Sequence, residues 1–166
     1  MDQVHLHLLI THLPIFGSVL AALVLAYAIV VKSQQTTTAA YGMLALSSIG
    51  ALIAYLTGEG AEEAVEGLPG VMESIIEQHE EFAMFALIAL LVTGAASIFG
   101  IVLGLRKSAL ASKFSMIVLL LSAISFGLVA RTGYLGGQIR HTEIRTVVNG
   151  AGATEINSES EEHDDD

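Results

Sequence analysis

His7-Leu8-Leu9-Ile10-Thr11-His12-Leu13-Pro14-Ile15-Phe16 opens the first long apolar run of the chain. From Val4 to Val31 there is no Asp, Glu, Lys or Arg. A helix needs roughly 20 mostly apolar residues to cross ~30 Å of hydrocarbon, so this run holds one transmembrane helix with room to tilt. It also places two imidazoles at the mouth of that helix. Lys32 closes it.

Three further runs of the same kind follow. The spans are expected at about 8–31, 38–57, 82–105 and 114–135. The third stops at Arg106-Lys107, and the fourth continues through Arg131 towards His141. No strand pattern competes with them, and open strands facing lipid could not satisfy their backbone groups. The composition agrees. Of 166 residues, 53% are hydrophobic and 14% charged, with mean hydropathy +0.66, where a soluble domain carries about a quarter charged residues. The start, Met1-Asp2-Gln3-Val4, lacks the basic segment of a secretory signal and the run behind it is too long for one, so a retained helix is expected.

Two connections are short, about 32–38 and 106–113. The third, Gly58 to Glu81, is longer and acidic. Its first part, with Gly58, Gly60, Gly67, Pro69 and Gly70, reads as turns. Its second part carries Val71, Ile75, His79, Phe82 and Ala86 at 3–4 spacing, which extends helix three above the membrane. Residues 147–166, ending Ser-Glu-Ser-Glu-Glu-His-Asp-Asp-Asp, read as a disordered acidic tail. Residues 1–146 form one membrane domain. The expected class is all-α, a polytopic four-helix bundle running up-down-up-down. The short connections hold Lys32, Arg106, Lys107 and Lys113 without acidic neighbours, which places them in the cytoplasm and both termini outside. Small residues recur every fourth position at Gly50, Ala54 and Gly58, at Ala96, Gly100 and Gly104, and at Gly133 and Gly137. Such rows let helices, or a flat ligand, approach the backbone closely.

The histidines converge. His7 to Lys32, His79 to Arg106 and Lys113 to His141 are separations of 25, 27 and 28 residues, or about 37–42 Å of unbroken helix. His12 lies slightly deeper. The cytoplasmic connections hold no histidine. His5, in the first turn, and His163, in the tail, are read as solvated polar residues, and interfacial solvation is the bland alternative for the others too.

Imidazole suits haem iron, zinc, copper and non-haem iron. The absence of cysteine excludes c-type haem attachment, iron–sulfur clusters held by cysteine, thiolate zinc and disulfides. The favoured ligand is haem b, one or two per chain, gripped axially by imidazoles of different helices. His12 and His79 are the first choice, with His7 and His141 next. Gly133, Gly136 and Gly137 leave space for a macrocycle, and Arg131, Arg140 and Tyr134 stand ready for its propionates. His7 and His12 are about 500° apart along a helix, so they serve different irons or only one of them serves. The rivals are a non-haem metal site, in which Glu80, Glu81 and Glu143 join His79 and His141, and a cofactor-free structural subunit. A continuous proton or ion relay is disfavoured, because no Asp, Glu, Lys or His lies deep in the spans.

These motifs together resemble a family of small bacterial four-helix membrane proteins, a domain of unknown function. The family opens on a His-Pro-x-x-x-His-Phe-Pro-Ile-like motif. Here it reads His7-Leu8-Leu9-Ile10-Thr11-His12-Leu13-Pro14-Ile15, with Leu8 for the usual Pro and Leu13 for the usual Phe. Thr57-Gly58-Glu59-Gly60, His79-Glu80-Glu81 and Gly136-Gly137 match its later motifs, up to about Arg145. Where many relatives carry Tyr and then His beyond the glycine pair, this chain has His141 and Glu143. The resemblance implies a multi-pass protein of the bacterial inner membrane with a cytochrome b-like, haem-binding role. A binding or electron-transfer subunit is expected ahead of a catalyst, exchanging electrons with a redox protein or a quinone. Homo-oligomer formation is left open. There is no basic patch and net charge is −10, so no nucleic-acid partner is expected.

Overall fold

The computed structural model describes residues 3–140. Six helices carry all of its regular structure: α1 Gln3–Ile10, α2 His12–Val31, α3 Gln34–Leu56, α4 Gly58–Glu63, α5 Glu73–Leu105 and α6 Ala111–Arg140. No strand occurs among the described residues. Four helices are long and apolar enough to cross a bilayer: Gln3–Val31, counting α1 and α2 together, Gln34–Leu56, Glu73–Leu105 and Ala111–Ile139. The chain is therefore a multi-pass membrane protein. The acidic tail, 147–166, lies outside the described residues.

The break between α1 and α2 falls at Thr11, where Pro14 dictates it. Proline has no N–H to give Ile10, and its ring crowds the carbonyl four residues back. The hydrogen bonds either side, Thr11 N–H to His7 O at 3.1 Å and Ile15 N–H to Thr11 O at 3.3 Å, keep the two pieces in one span. Helix α3 begins at Gln34, one turn earlier than the apolar run suggests. Ser33 caps it, its Oγ accepting the Thr36 N–H at 3.3 Å.

Helices α2 and α5 end alike. Lys32 and Lys107 adopt left-handed φ values of 55° and 50°. Ser33 N–H then reaches Ala28 O at 3.1 Å, and Ser108 N–H reaches Leu103 O at 3.0 Å, closing each helix with the bond pattern usually built on glycine. The turn-rich reading of Gly58–Gly70 needs correcting in one place, because Gly58–Glu63 is a helical turn and a half. Thr57 and Gly58 continue directly from α3, and the missing side chain at Gly60 admits that of Gln3 from α1. Packing against α1 thus overrides weak local helix preference. The extension of α5 above the apolar run is present, and it begins at Glu73.

The long helices form a ring in which α2 packs on α3 and α6, and α5 packs on α3 and α6. Neighbours touch through small residues. Leu13 lies against Gly50 and Ser47 against Gly17, between α2 and α3. Ser48 lies against Gly94, the Tyr41 ring against Gly100, and Gln34 against Gly104, between α3 and α5. His79 meets Thr132, Thr93 meets Ser125 at 2.9 Å, and Phe99 meets Phe114 edge-on at 5.3 Å, between α5 and α6. In each pair one partner's numbers fall as the other's rise, so neighbouring helices run in opposite directions.

The radial pattern inverts that of a soluble bundle. Ser18, Ser47, Thr93, Ser97 and Ser122 are fully buried, while Val30 and Leu105 are 79% and 77% exposed. Lipid solvates large apolar side chains as well as a core would, so small residues take the contacts where backbones must come close. Most of the buried hydroxyls donate back to their own helix, as Ser47 does to Met43 O at 2.9 Å and Ser97 to Thr93 O at 2.7 Å. Among the described residues, the Tyr41 hydroxyl is the one buried side-chain polar atom left without a partner.

Candidate histidine site

Two half-buried histidines lie at the end of the bundle where α4 sits, each against a neighbouring helix. His7, on α1, leans over the C-terminal end of α3. Its Nδ1 lies 2.9 Å from Ala54 O and 3.4 Å from Thr57 Oγ1. Carbonyls in a last helical turn have no partner within the helix, so this end of α3 is a ready acceptor. Thr57 Oγ1 itself donates to Ile53 O at 2.9 Å and Ala54 O at 3.1 Å. Gly58 leaves room for the ring, since a Cβ there would stand 3.8 Å from His7 Cε1.

His79, on α5, leans into α6. Its Nδ1 lies 3.0 Å from Thr132 O. Gly136 makes that approach feasible: a Cβ at this position would stand 3.1 Å from His79 Cε1 and 3.3 Å from Nδ1.

The chemistry of these contacts selects the tautomer. A carbonyl oxygen only accepts, so Nδ1 carries a proton in each imidazole, and in a neutral ring so held it is Nε2 that has the lone pair. Metal-ligating histidines show this same arrangement, one ring nitrogen donating to a backbone carbonyl or carboxylate while the other binds.

His12 is differently placed. Its Nδ1 donates to Leu8 O at 2.8 Å within its own span, its ring stacks on Phe16 at 6.0 Å, and both residues are exposed. The structure thus sets His7 and His79 each on a backbone carbonyl of a neighbouring helix, and leaves His12 on an outer face. The five-residue step between His7 and His12 turns them about 140° apart, and only one of them can face the bundle. His5 is exposed. His141 lies outside the described residues, as does Glu143.

The residues expected around a macrocycle divide in the same way. Gly136 borders His79, and Gly137 has open space where a Cβ would be. Gly133 is exposed and borders Ile15 of α2. Arg131 and Tyr134 are exposed and engage each other, not the imidazole pair. Arg140 ends α6, and its side chain lies outside what the structure describes.

Above the histidines α4 is tied to α5. A hydrogen bond to the Glu80 carboxyl, burial, and repulsion from Glu80, Glu66 and Glu59 together push the Glu62 carboxyl up to about 7. Glu81 is exposed. Among the described residues no group of three or more His, Asp or Glu is placed to hold a metal ion. A hollow of about 450 Å³ beside the connection is lined by Glu66, Gly67, Val71, Glu73 and Ile76, with no histidine.

Sequence reasoning missed the acceptors that orient the rings, because Ala54 and Thr132 act through their carbonyls. It also missed the Glu62–Glu80 contact, which joins two segments whose relative placement no local pattern reveals. No protein family, curated protein or solved structure matches the chain.

Proposed function

We propose that this chain is a membrane b-type cytochrome-like electron carrier that holds haem through His7 and His79 near one face of the bilayer. One observation carries the reading. Two imidazoles from different helices each have Nδ1–H committed to a carbonyl of a neighbouring helix, which leaves two oriented Nε2 donors at one end of the bundle. The donor set fits haem iron, and Gly137, with open space where a Cβ would be, supplies backbone close to which a flat group can lie.

Bound haem supplies one-electron exchange. The chain contributes ring orientation through Ala54 O and Thr132 O, burial beneath α4, and an apolar outer surface that keeps the site at the membrane. The helices thread up-down-up-down, with Lys32, Arg106, Lys107 and Lys113 in the cytoplasm and the histidine end outside, in the inner membrane of a bacterium. A redox protein or a quinone exchanges the electron there. The resemblance of the His7–Ile15, Thr57–Gly60, His79–Glu81 and Gly136–Gly137 motifs to the four-helix family supports the same reading.

The test is a reduced-minus-oxidised spectrum of the purified protein. A haem α-band at one haem per chain is expected, lost in His7→Ala and in His79→Ala and kept in His12→Ala. A protein without that band but with stoichiometric zinc, copper or iron by elemental analysis is a non-haem module. One with neither is a helical scaffold, and the proposal fails.

A further inference from the structure

Arg131 lies away from the imidazole pair. Thr132 O and Gly136 mark the side of α6 that meets His79. Arg131 is one and five residues from them, about 100–140° around the helix. Its guanidinium carbon sits 5.4 Å from the centre of the Phe82 ring of α5 and 5.5 Å from that of Tyr134. The three side chains therefore form an outward-facing cluster on the α5–α6 seam.

Long helical side chains ordinarily lie back over the preceding turn. The Tyr134 ring, one turn on, meets Arg131 in this way. Depth places the group. Lys113 to Arg131 is 18 residues and Phe82 to Arg106 is 24, or about 27 Å and 36 Å of helix. Against ~30 Å of hydrocarbon, the guanidinium and both rings fall at the boundary with the headgroups, where aromatic side chains gather and a cation rises towards water.

Among the described residues the cation is held but not neutralised: Arg131 forms its two ring contacts and no ion pair. Its planar fork of N–H donors suits phosphate oxygens. The surroundings narrow the phosphate further. Glu81 and Glu77 are exposed on α5 one and five residues from Phe82, about 100–140° around the helix from it, and α4 carries more carboxylates, so acidic groups flank the seam without lining it. That field repels a headgroup of net negative charge and attracts one that also carries an ammonium.

We propose that Arg131, Phe82 and Tyr134 form a headgroup site for an aminophospholipid, with its phosphate on the guanidinium and its ammonium towards Glu77 and Glu81. The inference rests on the helices crossing a bilayer and is independent of any cofactor.

The test is native mass spectrometry of the full-length chain in detergent, with added phosphatidylethanolamine or phosphatidylglycerol. Phosphatidylethanolamine should be retained about tenfold better, a typical effect for hydrogen bonds to a charged group. Arg131→Ala should abolish retention, and Arg131→Lys should weaken it. Phe82→Leu and Tyr134→Leu, which keep the charge and free the guanidinium, should do so partially. Circular dichroism confirms folding, and the three milder variants carry the test if Arg131→Ala does not fold. Equal or better retention of phosphatidylglycerol overturns the proposal, as does unchanged phosphatidylethanolamine retention in folded Arg131→Ala. If that variant loses a haem band while keeping its lipid, the guanidinium serves a propionate and the proposal is likewise overturned.

Discussion

Gly136→Ala should disturb the histidine site while leaving the fold almost untouched. The new Cβ would stand 3.1 Å from His79 Cε1 and 3.3 Å from Nδ1, so the ring must back away by a few tenths of an ångström. Its 3.0 Å bond to Thr132 O then lengthens, at a cost of about 1 kcal/mol. Replacing glycine by alanine inside a helix returns about 1 kcal/mol. The two nearly cancel, so the melting temperature should hold while His79 loses its orientation. Gly137→Ala is the control. Nothing lies within 4 Å of that Cβ, so the helix gain of up to about 1 kcal/mol stands alone. Thermal melts by circular dichroism, paired with the imidazole NMR signals of His79, separate the outcomes. If His79 signals in Gly136→Ala match the parent, the close approach of ring and backbone does not govern the site, and the argument for an oriented donor fails.

The Glu62–Glu80 contact makes α4 docking depend on pH. Because Glu62 is raised from 4.5 to about 7, the folded state binds more protons than the unfolded chain between those values. Its stabilising contribution is full below pH 4.5 and lost as pH rises through 7. Hydrogen exchange at residues 58–63 should therefore accelerate over that interval, and Glu62→Gln should flatten the dependence. Tyr41→Phe should be neutral or stabilising by up to about 1 kcal/mol, since it removes a buried hydroxyl that has no partner; chemical unfolding in detergent measures it. Gly94→Ala drives a methyl into the Ser48 side chain and should cost about 1–3 kcal/mol in the same assay.

Much of this architecture is visible in the residues. Charge-free runs such as Val4–Val31 locate the spans because hydrocarbon excludes charge over a known thickness. The 3–4 spacing from Val71 through His79 to Ala86 announces the extension of α5. The glycine rows mark close approach, and Gly50 and Gly100 do meet Leu13 and Tyr41. What local pattern hides is azimuth and backbone chemistry. His7 and His12 look equivalent as letters, and only packing decides which one faces the bundle. The short helix α4 is hidden by its glycines, since contact with α1 stabilises it and not its own composition. Ala54 and Thr132 hold the imidazoles by carbonyl oxygens that every residue possesses.

Lys32 and Lys107 carry a cost that glycine would avoid. A left-handed backbone at a residue with a Cβ is unfavourable by roughly 1–2 kcal/mol, and both adopt it to finish α2 and α5. Each position joins two tasks in one side chain, the stop signal of a helix and a positive charge at the lip of the bilayer. Lys32→Gly and Lys107→Gly would ease the turns and at the same time remove a cation from each short connection. Backbone ease and charge beside a span are opposed at both sites.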